Sequence, residues 1–338
     1  MRNNNRQWIL KKRPVGNIDL SDLELIERDI PEPEEGEALL RNVYLSLDPT
    51  NRIWMSDMDQ YMPPVALGEI MRGGVVGKII KSHTSDLVEG SFVSSFTCGW
   101  QDYAVVKPNE VSLLPQNSSL PLTAYMSAAG LTGFTAYFGL LDITNPKKDE
   151  TVVISTAAGA VGSIAGQIAK IKGCRVVGIT GTEEKCRWLS QDLKFDGTIN
   201  YKKQNVLEEL KKQCPEGIDV YFDNTGGAIL DAVLTLINLN ARISLCGLIS
   251  IYNNKKPTPG PFMYQNILMK RVKVEGFIVS DFMDQFPKAL EDLTQWILEG
   301  KIQYKVDVQN GLEHALKALN KLFTGENTGK LILQVSDE

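Results

Sequence analysis

Between Thr151 and Lys172 the chain reads TVVISTAAGAVGSIAGQIAKIK, and no other stretch restricts the possible folds as much. Thr151–Ser155 is a run of β-branched residues that favours a strand, and a helical run follows Gly162. Between them lies the turn Ala157-Ala158-Gly159-Ala160-Val161-Gly162. In an AxGxxG turn at such a junction, Gly159 lets the backbone come close to a pyrophosphate. Gly162 lets the helix pack tightly on the strand, and the N–H groups at the helix start attract phosphate. A glycine pattern alone is weak, so its context decides. Arg175–Thr180 follows as a second strand and completes a βαβ unit. The turn therefore predicts a dinucleotide site, with Ala157, Gly159, Ala160, Val161 and Gly162 as its backbone.

The rhythm around that turn sets the fold class. Strand-like and helical runs alternate through Arg175–Ile179, Glu183–Leu193, Thr198–Asn200, Val206–Cys214, Asp219–Asp223, Ile229–Ile237 and Arg242–Cys246. Alternation of this kind predicts a doubly wound parallel α/β sheet of the Rossmann type, with helices on both faces. A strand at Val272–Val279 and a helix at Phe286–Leu298 complete it. Upstream, ALLRNVYL at Ala38–Leu45, GVVGKII at Gly74–Ile80 and YAVVK at Tyr103–Lys107 are short β-branched runs with Gly or Pro near each. They predict a β-rich, partly barrelled domain. At 338 residues the chain exceeds one ordinary core. After an amphipathic run at Leu312–Leu322 it ends in the strand-like KLILQV of Lys330–Val335, which could return to the first domain. The expected division is a β-rich domain over 1–125, completed by 310–338, and a nucleotide-binding domain over 126–309.

The end of the second strand chooses between the two nicotinamide dinucleotides, because an acid there bonds the ribose 2′-hydroxyl and repels a 2′-phosphate. Here the chain reads Ile179-Thr180-Gly181-Thr182, without an acid. Thr180 and Thr182 offer hydroxyls, and Lys185 offers an ammonium group. Lys185 either meets a 2′-phosphate or is another solvated lysine, with Glu183 and Glu184 diluting its charge. The missing acid tips the reading to NADP+/NADPH.

Other classes are disfavoured. Lys and Arg number 36 against 41 Asp and Glu, a formal charge of −5 with no long basic run, so nucleic acid is not an expected partner. Trp8-Ile9-Leu10 is too short for the apolar core of a signal peptide, and the apolar window Ala128–Leu141 is broken by glycines and threonines and too short for a membrane span. Five scattered cysteines, Cys98, Cys174, Cys186, Cys214 and Cys246, form no CxxC pair and fit reduced thiols in a cytoplasmic protein. With only His83 and His314 beside them, no metal site is expected.

Several motifs in one order carry a resemblance across nearly the whole chain. They are Tyr44-Leu-Ser-Leu-Asp-Pro49, Gly99-Trp-Gln-Asp-Tyr103, the stretch from Thr132 to Gly139, the AAGAVG turn, Asp223-Asn-Thr-Gly-Gly227, the stretch from Cys246 to Asn253 and Leu298-Glu-Gly-Lys-Ile302. Together they resemble the zinc-independent branch of the medium-chain dehydrogenase/reductase superfamily. That branch holds leukotriene B4 12-hydroxydehydrogenase/prostaglandin reductases, plant double-bond reductases and bacterial curcumin reductases. The resemblance implies a GroES-like first domain, a homodimer, and NADPH-dependent reduction of the C=C bond of an α,β-unsaturated ketone or aldehyde. It further implies that Lys185 meets the 2′-phosphate and Tyr201 the adenosine ribose phosphate. Asn224 lies near the nicotinamide, Cys246 and Tyr252 in the cofactor cleft, Phe277, Ile278 and Val279 beside the carboxamide, and Asn327 at the nicotinamide end. Zinc-dependent relatives carry Gly-His-Glu where this chain reads Leu67-Gly68-Glu69-Ile70. A second departure is Asp48-Pro49-Thr50-Asn51-Arg52, where the family often shows Asp-Pro-Tyr-Met-Arg. Thr50 is expected to leave the pocket wider or more polar.

Reduction of an enone needs a donor to the carbonyl oxygen as negative charge develops there. Tyr252 is the candidate; the alternative is that its ring only frames the cofactor. A zinc-free NADPH quinone reductase and a non-catalytic NADPH-binding protein are the competing functions. Cys246 is expected to be a packing thiol.

Overall fold

A computed structural model describes residues 4–96 and 98–338. The chain divides into two compact units, one of 1–126, 306–326 and 331–338, the other of 127–305 and 327–330.

In the first unit, β1 (Asn4–Leu10) pairs antiparallel with β2 (Leu23–Asp29). Next come β3 (Ala38–Ser46), the short helix α1 (Thr50–Trp54), β4 (Val75–Ser82), β5 (Phe92–Ser95), β6 (Tyr103–Val106), β7 (Ser112–Leu113) and the turn of helix α2 (Leu122–Tyr125). β4 runs along one edge of β3, with register shifts at Leu39/Leu40 and Asn42/Tyr44. Such bulges bend a strand and raise its twist, which curls a sheet toward a barrel. β1 was not legible as a strand because Asn5, Arg6 and Gln7 are polar yet buried. Their partners are far along the chain: Asn5 Nδ2 donates to the Tyr103 carbonyl at 3.0 Å, and Arg6 forms a two-point pair with Asp102 at 2.8 and 2.9 Å. Arg6 also reaches Glu313 at 2.5 Å, and the hydrogen bonds it donates to Asp102 are the main cause that raises its pKa.

The second unit begins with α3 (Leu131–Leu141), which occupies the apolar window. β8 (Thr151–Ile154), α4 (Ala160–Ile171), β9 (Arg175–Thr180), α5 (Glu183–Arg187), β10 (Gly197–Asn200), α6 (Val206–Gln213), β11 (Ile218–Asp223), α7 (Gly227–Thr235), β12 (Ile237–Leu245), α8 (Gln265–Met269), β13 (Lys273–Gly276) and α9 (Phe286–Leu298) follow. The six strands are parallel in the order β10-β9-β8-β11-β12-β13. Alternate side chains go to opposite faces, as the two-residue period of a strand requires. Val152, Ile154, Val176, Val220 and Phe222 pack with α3, α4 and α9, whereas Val153, Val177, Ile179 and Tyr221 pack with α6 and α7. Several expected boundaries change, among them the strand read over Arg242–Cys246, which is β12 at Ile237–Leu245 and follows a helix that ends at Thr235. The single helix read over Glu183–Leu193 is α5 followed by a wider π-helical turn at Trp188–Asp192, which brings Trp188, Leu189 and Leu193 into one core. The strand read over Val272–Val279 is only Lys273–Gly276, because Val279 already starts a 3-10 turn.

The chain then returns to the first unit through β14 (Val306–Asn310), α10 (Ala315–Thr324) and β15 (Lys330–Gln334). β15 pairs antiparallel with β3 at Tyr44–Ser46, on the edge where β6 pairs at Ala38–Arg41. The segment Asn327–Lys330 belongs to the second unit, although the sequence reading gave all of 310–338 to the first. The Gly329 N–H donates to the Ala158 carbonyl at 3.0 Å, which ties the segment to the AxGxxG turn.

Among the described residues no helix is long and apolar enough to cross a membrane. The Arg6 network gives a stability test. Asp102→Ala leaves a buried guanidinium short of its main partner and is expected to cost about 3–5 kcal/mol, read as a lower urea midpoint at unchanged slope.

Candidate active site

In an open parallel sheet the ligand crevice lies beyond the carboxyl ends of the strands, where the strand order reverses. Here the order reverses between β8 and β11. The turn after β8 is tightly held: the Gly159 N–H donates to the Thr156 carbonyl at 2.9 Å and the Ala157 N–H to the Ile179 carbonyl at 3.0 Å. Ala157 and Ala158 are buried, while Gly159, Ala160 and Val161 are half-buried. Gly159 caps α4, whose first residue is Ala160. A Cβ on Gly162 would stand 2.5 Å from the Thr156 carbonyl oxygen, so only glycine lets the helix approach this turn. The geometry fits a pyrophosphate held by backbone N–H groups.

Beyond β9, Thr180 is buried and its carbonyl accepts the Tyr201 N–H at 3.0 Å, which joins the ends of β9 and β10. Thr182 caps α5 by accepting the Lys185 N–H at 3.2 Å. Lys185 is only 9% exposed and so is not a solvated surface lysine. Glu183 is engaged elsewhere: it accepts from Asn200 Nδ2 at 2.8 Å and lies 3.9 Å from Lys203 Nζ. Around Gly181 a Cβ would meet Tyr201 at 3.2 Å and Lys202 Cε at 3.3 Å. Tyr201 and Lys202 thus stand together at the β9 end. Lys202 was missed, since only the fold brings the β10 end to Gly181.

The remaining residues follow β11, β12 and β13. Asn224 donates its backbone N–H to Ser155 Oγ at 2.8 Å and its Nδ2 to the Ser155 carbonyl at 2.7 Å, fixing it beside the AxGxxG turn. Cys246 is pushed up to about 12 by burial and then by nearby Asp223, which leaves it a neutral thiol. The Tyr252 phenol oxygen accepts the Leu248 N–H at 2.9 Å, so the side chain folds back over its own loop and is held in one place. Phe277 packs end-on against Gly139, where a Cβ would come within 2.3 Å of the ring, and Ile278 and Val279 continue half-buried. Asn327 is buried and donates to the Gly329 carbonyl at 3.0 Å, and Gly329 is bridged to Gly159. Its segment therefore lies against the AxGxxG turn. Gly329 has φ +69°, and a Cβ there would come within 2.2 Å of the Lys305 carbonyl.

In the first unit, Thr50 Oγ1 lies 2.6 Å from the Tyr61 hydroxyl, which also accepts from Trp54 Nε1 at 2.8 Å. A phenol therefore stands beside Thr50, and the position is polar without being vacant. His83 and His314 are both exposed, and among the described residues no group of three or more His, Cys, Asp or Glu side chains is arranged to hold a metal ion.

Two family models match the chain: "N-terminal domain of oxidoreductase" over residues 6–114 and "Zinc-binding dehydrogenase" over 160–295. The NADPH-dependent curcumin reductase of Escherichia coli is 42% identical, with 99% of this chain and 98% of that protein aligned. Bovine prostaglandin reductase 1 is 41% identical over 97% of this chain and 98% of its own length. The chain belongs to the zinc-independent medium-chain dehydrogenase/reductases, in the branch of curcumin and prostaglandin reductases. The crystal structure of CurA from Vibrio vulnificus in complex with NADPH superposes with a TM-score of 0.93 at 44% identity, covering 98% of this chain and 100% of that one.

The acid-free β9 end and buried Lys185 generate a test of cofactor choice. Lys185→Ala is expected to weaken NADPH binding by about 1.5–3 kcal/mol, as for loss of a charged hydrogen bond, and NADH binding far less. Titration of both cofactors by calorimetry reads the difference; equal losses would remove Lys185 from the 2′-phosphate site.

Proposed function

We propose that the chain is an NADPH-dependent reductase of carbon–carbon double bonds conjugated to a ketone or aldehyde. The reading is carried by the full-length likeness to enzymes named for reducing curcumin and prostaglandins. Its cofactor is NADPH, supported by the tight glycine turn, the acid-free β9 end and the NADPH complex of the similar CurA. Ala157–Gly162 hold the pyrophosphate, Thr180, Lys185 and Tyr201 the adenosine end, and Asn224, Cys246, Tyr252 and Phe277–Val279 the side where reduction occurs. Asn327 supports the turn through Gly329.

When bound, NADPH supplies the hydride that the β-carbon of the enone receives. The chain's own part is to orient the substrate and stabilise the negative charge that grows on the carbonyl oxygen. Tyr252 is the donor to that oxygen. Accepting the Leu248 N–H holds its phenol in place and polarises the O–H bond. Proton delivery to the α-carbon completes the saturated product.

The protein acts as a homodimer in the cytoplasm. β13 is an edge strand of the parallel sheet, and unpaired edges are templates for a second chain. The chain leading into it exposes apolar side chains: Phe262 is 81% exposed, Leu268 73%, Met269 63% and Val274, on β13 itself, 38%. Free thiols at all five cysteines and dependence on NADPH support a reducing compartment.

NADPH oxidation over enones of graded size, an enal, a simple quinone and an alcohol series tests the activity. The expected product is the saturated carbonyl compound; turnover of the quinone alone would overturn the reading. Tyr252→Phe keeps the ring and is expected to add about 2.7–4 kcal/mol to the barrier of the hydride step, with NADPH affinity nearly constant. A single-turnover rate equal to wild type would make Tyr252 a wall of the site. For assembly, Val274→Lys places charge on the sheet edge, and light scattering is expected to show the dimer mass replaced by the monomer mass.

A further inference from the structure

Asp223 ends β11 with its side chain buried, and among the described residues no cation bonds it. One oxygen carries all of its bonds. Oδ1 accepts from the Tyr221 hydroxyl at 2.9 Å, from the N–H groups of Thr225 and Gly226 at 2.8 Å each, and from Ser155 Oγ at 3.3 Å. Oδ2 is buried with no hydrogen-bond partner among the described residues. An unsatisfied buried acceptor costs stability and calls for a reason.

The partners of Asp223 supply one, because they belong to three strand ends. Ser155 opens the AxGxxG turn after β8 and also accepts the Asn224 N–H. Thr225 and Gly226 form the loop after β11, and Thr225 Oγ1 meets Thr156 Oγ1 at 3.0 Å across the point where strand order reverses. The Asp223 carbonyl accepts the N–H groups of Cys246 and Gly247 at 2.9 and 3.1 Å, at the start of the loop that leads to Tyr252. That loop is tied again where Ser250 Oγ donates to the Thr225 carbonyl at 2.6 Å. We propose that Asp223 is a positioning residue that holds the loops after β8 and β11 in register across the crevice through the single acceptor Oδ1, and through Thr225 supports the loop after β12 that is tied to it. It touches neither substrate nor cofactor; it sets Ser155, Asn224 and the Tyr252 loop. Burial raises the pKa of its carboxyl above the ordinary range despite the four donors, so a neutral acceptor of the same shape is a fair substitute.

The inference rests on the reading of this crevice as the NADPH site, and the experiment separates the two. Asp223→Asn, Asp223→Ala and Ser155→Ala are made in the full chain. Three quantities are measured: calorimetric binding of 2′,5′-ADP, the emission of bound NADPH in the absence of substrate, and single-turnover reduction of an enone. The adenosine-end probe 2′,5′-ADP engages the β9 and β10 ends and is expected to bind all three variants like wild type. Asp223→Asn retains an oxygen at the Oδ1 position and is expected to keep wild-type emission and rate. In Asp223→Ala the emission moves toward that of free NADPH and the rate falls about a hundredfold, the scale of an ångström of misplacement. Ser155→Ala, which removes the hydroxyl that joins Asp223 Oδ1 to the Asn224 N–H, is expected to lose about tenfold. The proposal is overturned if Asp223→Ala retains wild-type emission and rate, or if Asn is as impaired as Ala. Should Asp223→Ala fail to fold, as lost 2′,5′-ADP binding would show, wild-type behaviour in Ser155→Ala overturns it instead. A wild type that binds NADPH but reduces no enone defeats the functional reading alone, since the emission series still tests Asp223.

Discussion

The second unit depends on how closely α4 can approach the turn after β8. With the Thr156 carbonyl 2.5 Å from where a Cβ of residue 162 would lie, any side chain there would push the helix off the strand. The helix start would then no longer present its N–H groups to a pyrophosphate. β8 is a central strand, so the same approach sets the distances to the ends of β9 and β11 on either side. Gly329 extends the arrangement: its left-handed backbone and its contacts with Ala158 and Gly159 fasten a segment from near the end of the chain to the turn.

Electrostatics then separate the two halves of the crevice. At the β9 end Glu183 accepts from Asn200 and is approached by Lys203, and Lys202 stands beside Gly181. At the β11 end, among the described residues, the donors to the buried acid are a phenol, a hydroxyl and two backbone N–H groups. Dipoles of this kind are fixed in place before any ligand arrives, and preorganised dipoles are what reactions with moving charge exploit.

Much of the second unit was legible because its signals are local. A β-branched run, a glycine turn and a helical run are neighbours in sequence, and the alternation of later strands and helices repeats the pattern. α9 was read to the residue, since its apolar stripe and its opening Phe286-Pro287 mark it without help from the rest of the fold. β1 and β14 were not legible. β1 buries Asn5, Arg6 and Gln7 against residues about a hundred positions away, and nothing within seven residues announces such partners. For the candidate site, the strand-end residues were named from motif and resemblance, whereas Lys202 and Asp223 were not. Their importance arises from neighbours on other strands, which a linear pattern does not record.

Thr50 shows the same limit from the opposite side. Read alone, threonine in place of the family's usual tyrosine implies lost volume and lost aromatic surface. The fold returns a phenol to the place from eleven residues downstream: Tyr61 meets Thr50 and Trp54 through its hydroxyl, and Arg72 lies over the Trp54 ring at 5.5 Å. Burial raises the Tyr61 pKa, while its bonds to Thr50 and Trp54 lower it in part. The Thr50 hydroxyl bonds the Tyr61 hydroxyl, so the two oxygens are presented together. Thr50 and Tyr61 therefore act as one unit, and the chemistry offered at this position is set by the pair and not by residue 50 alone.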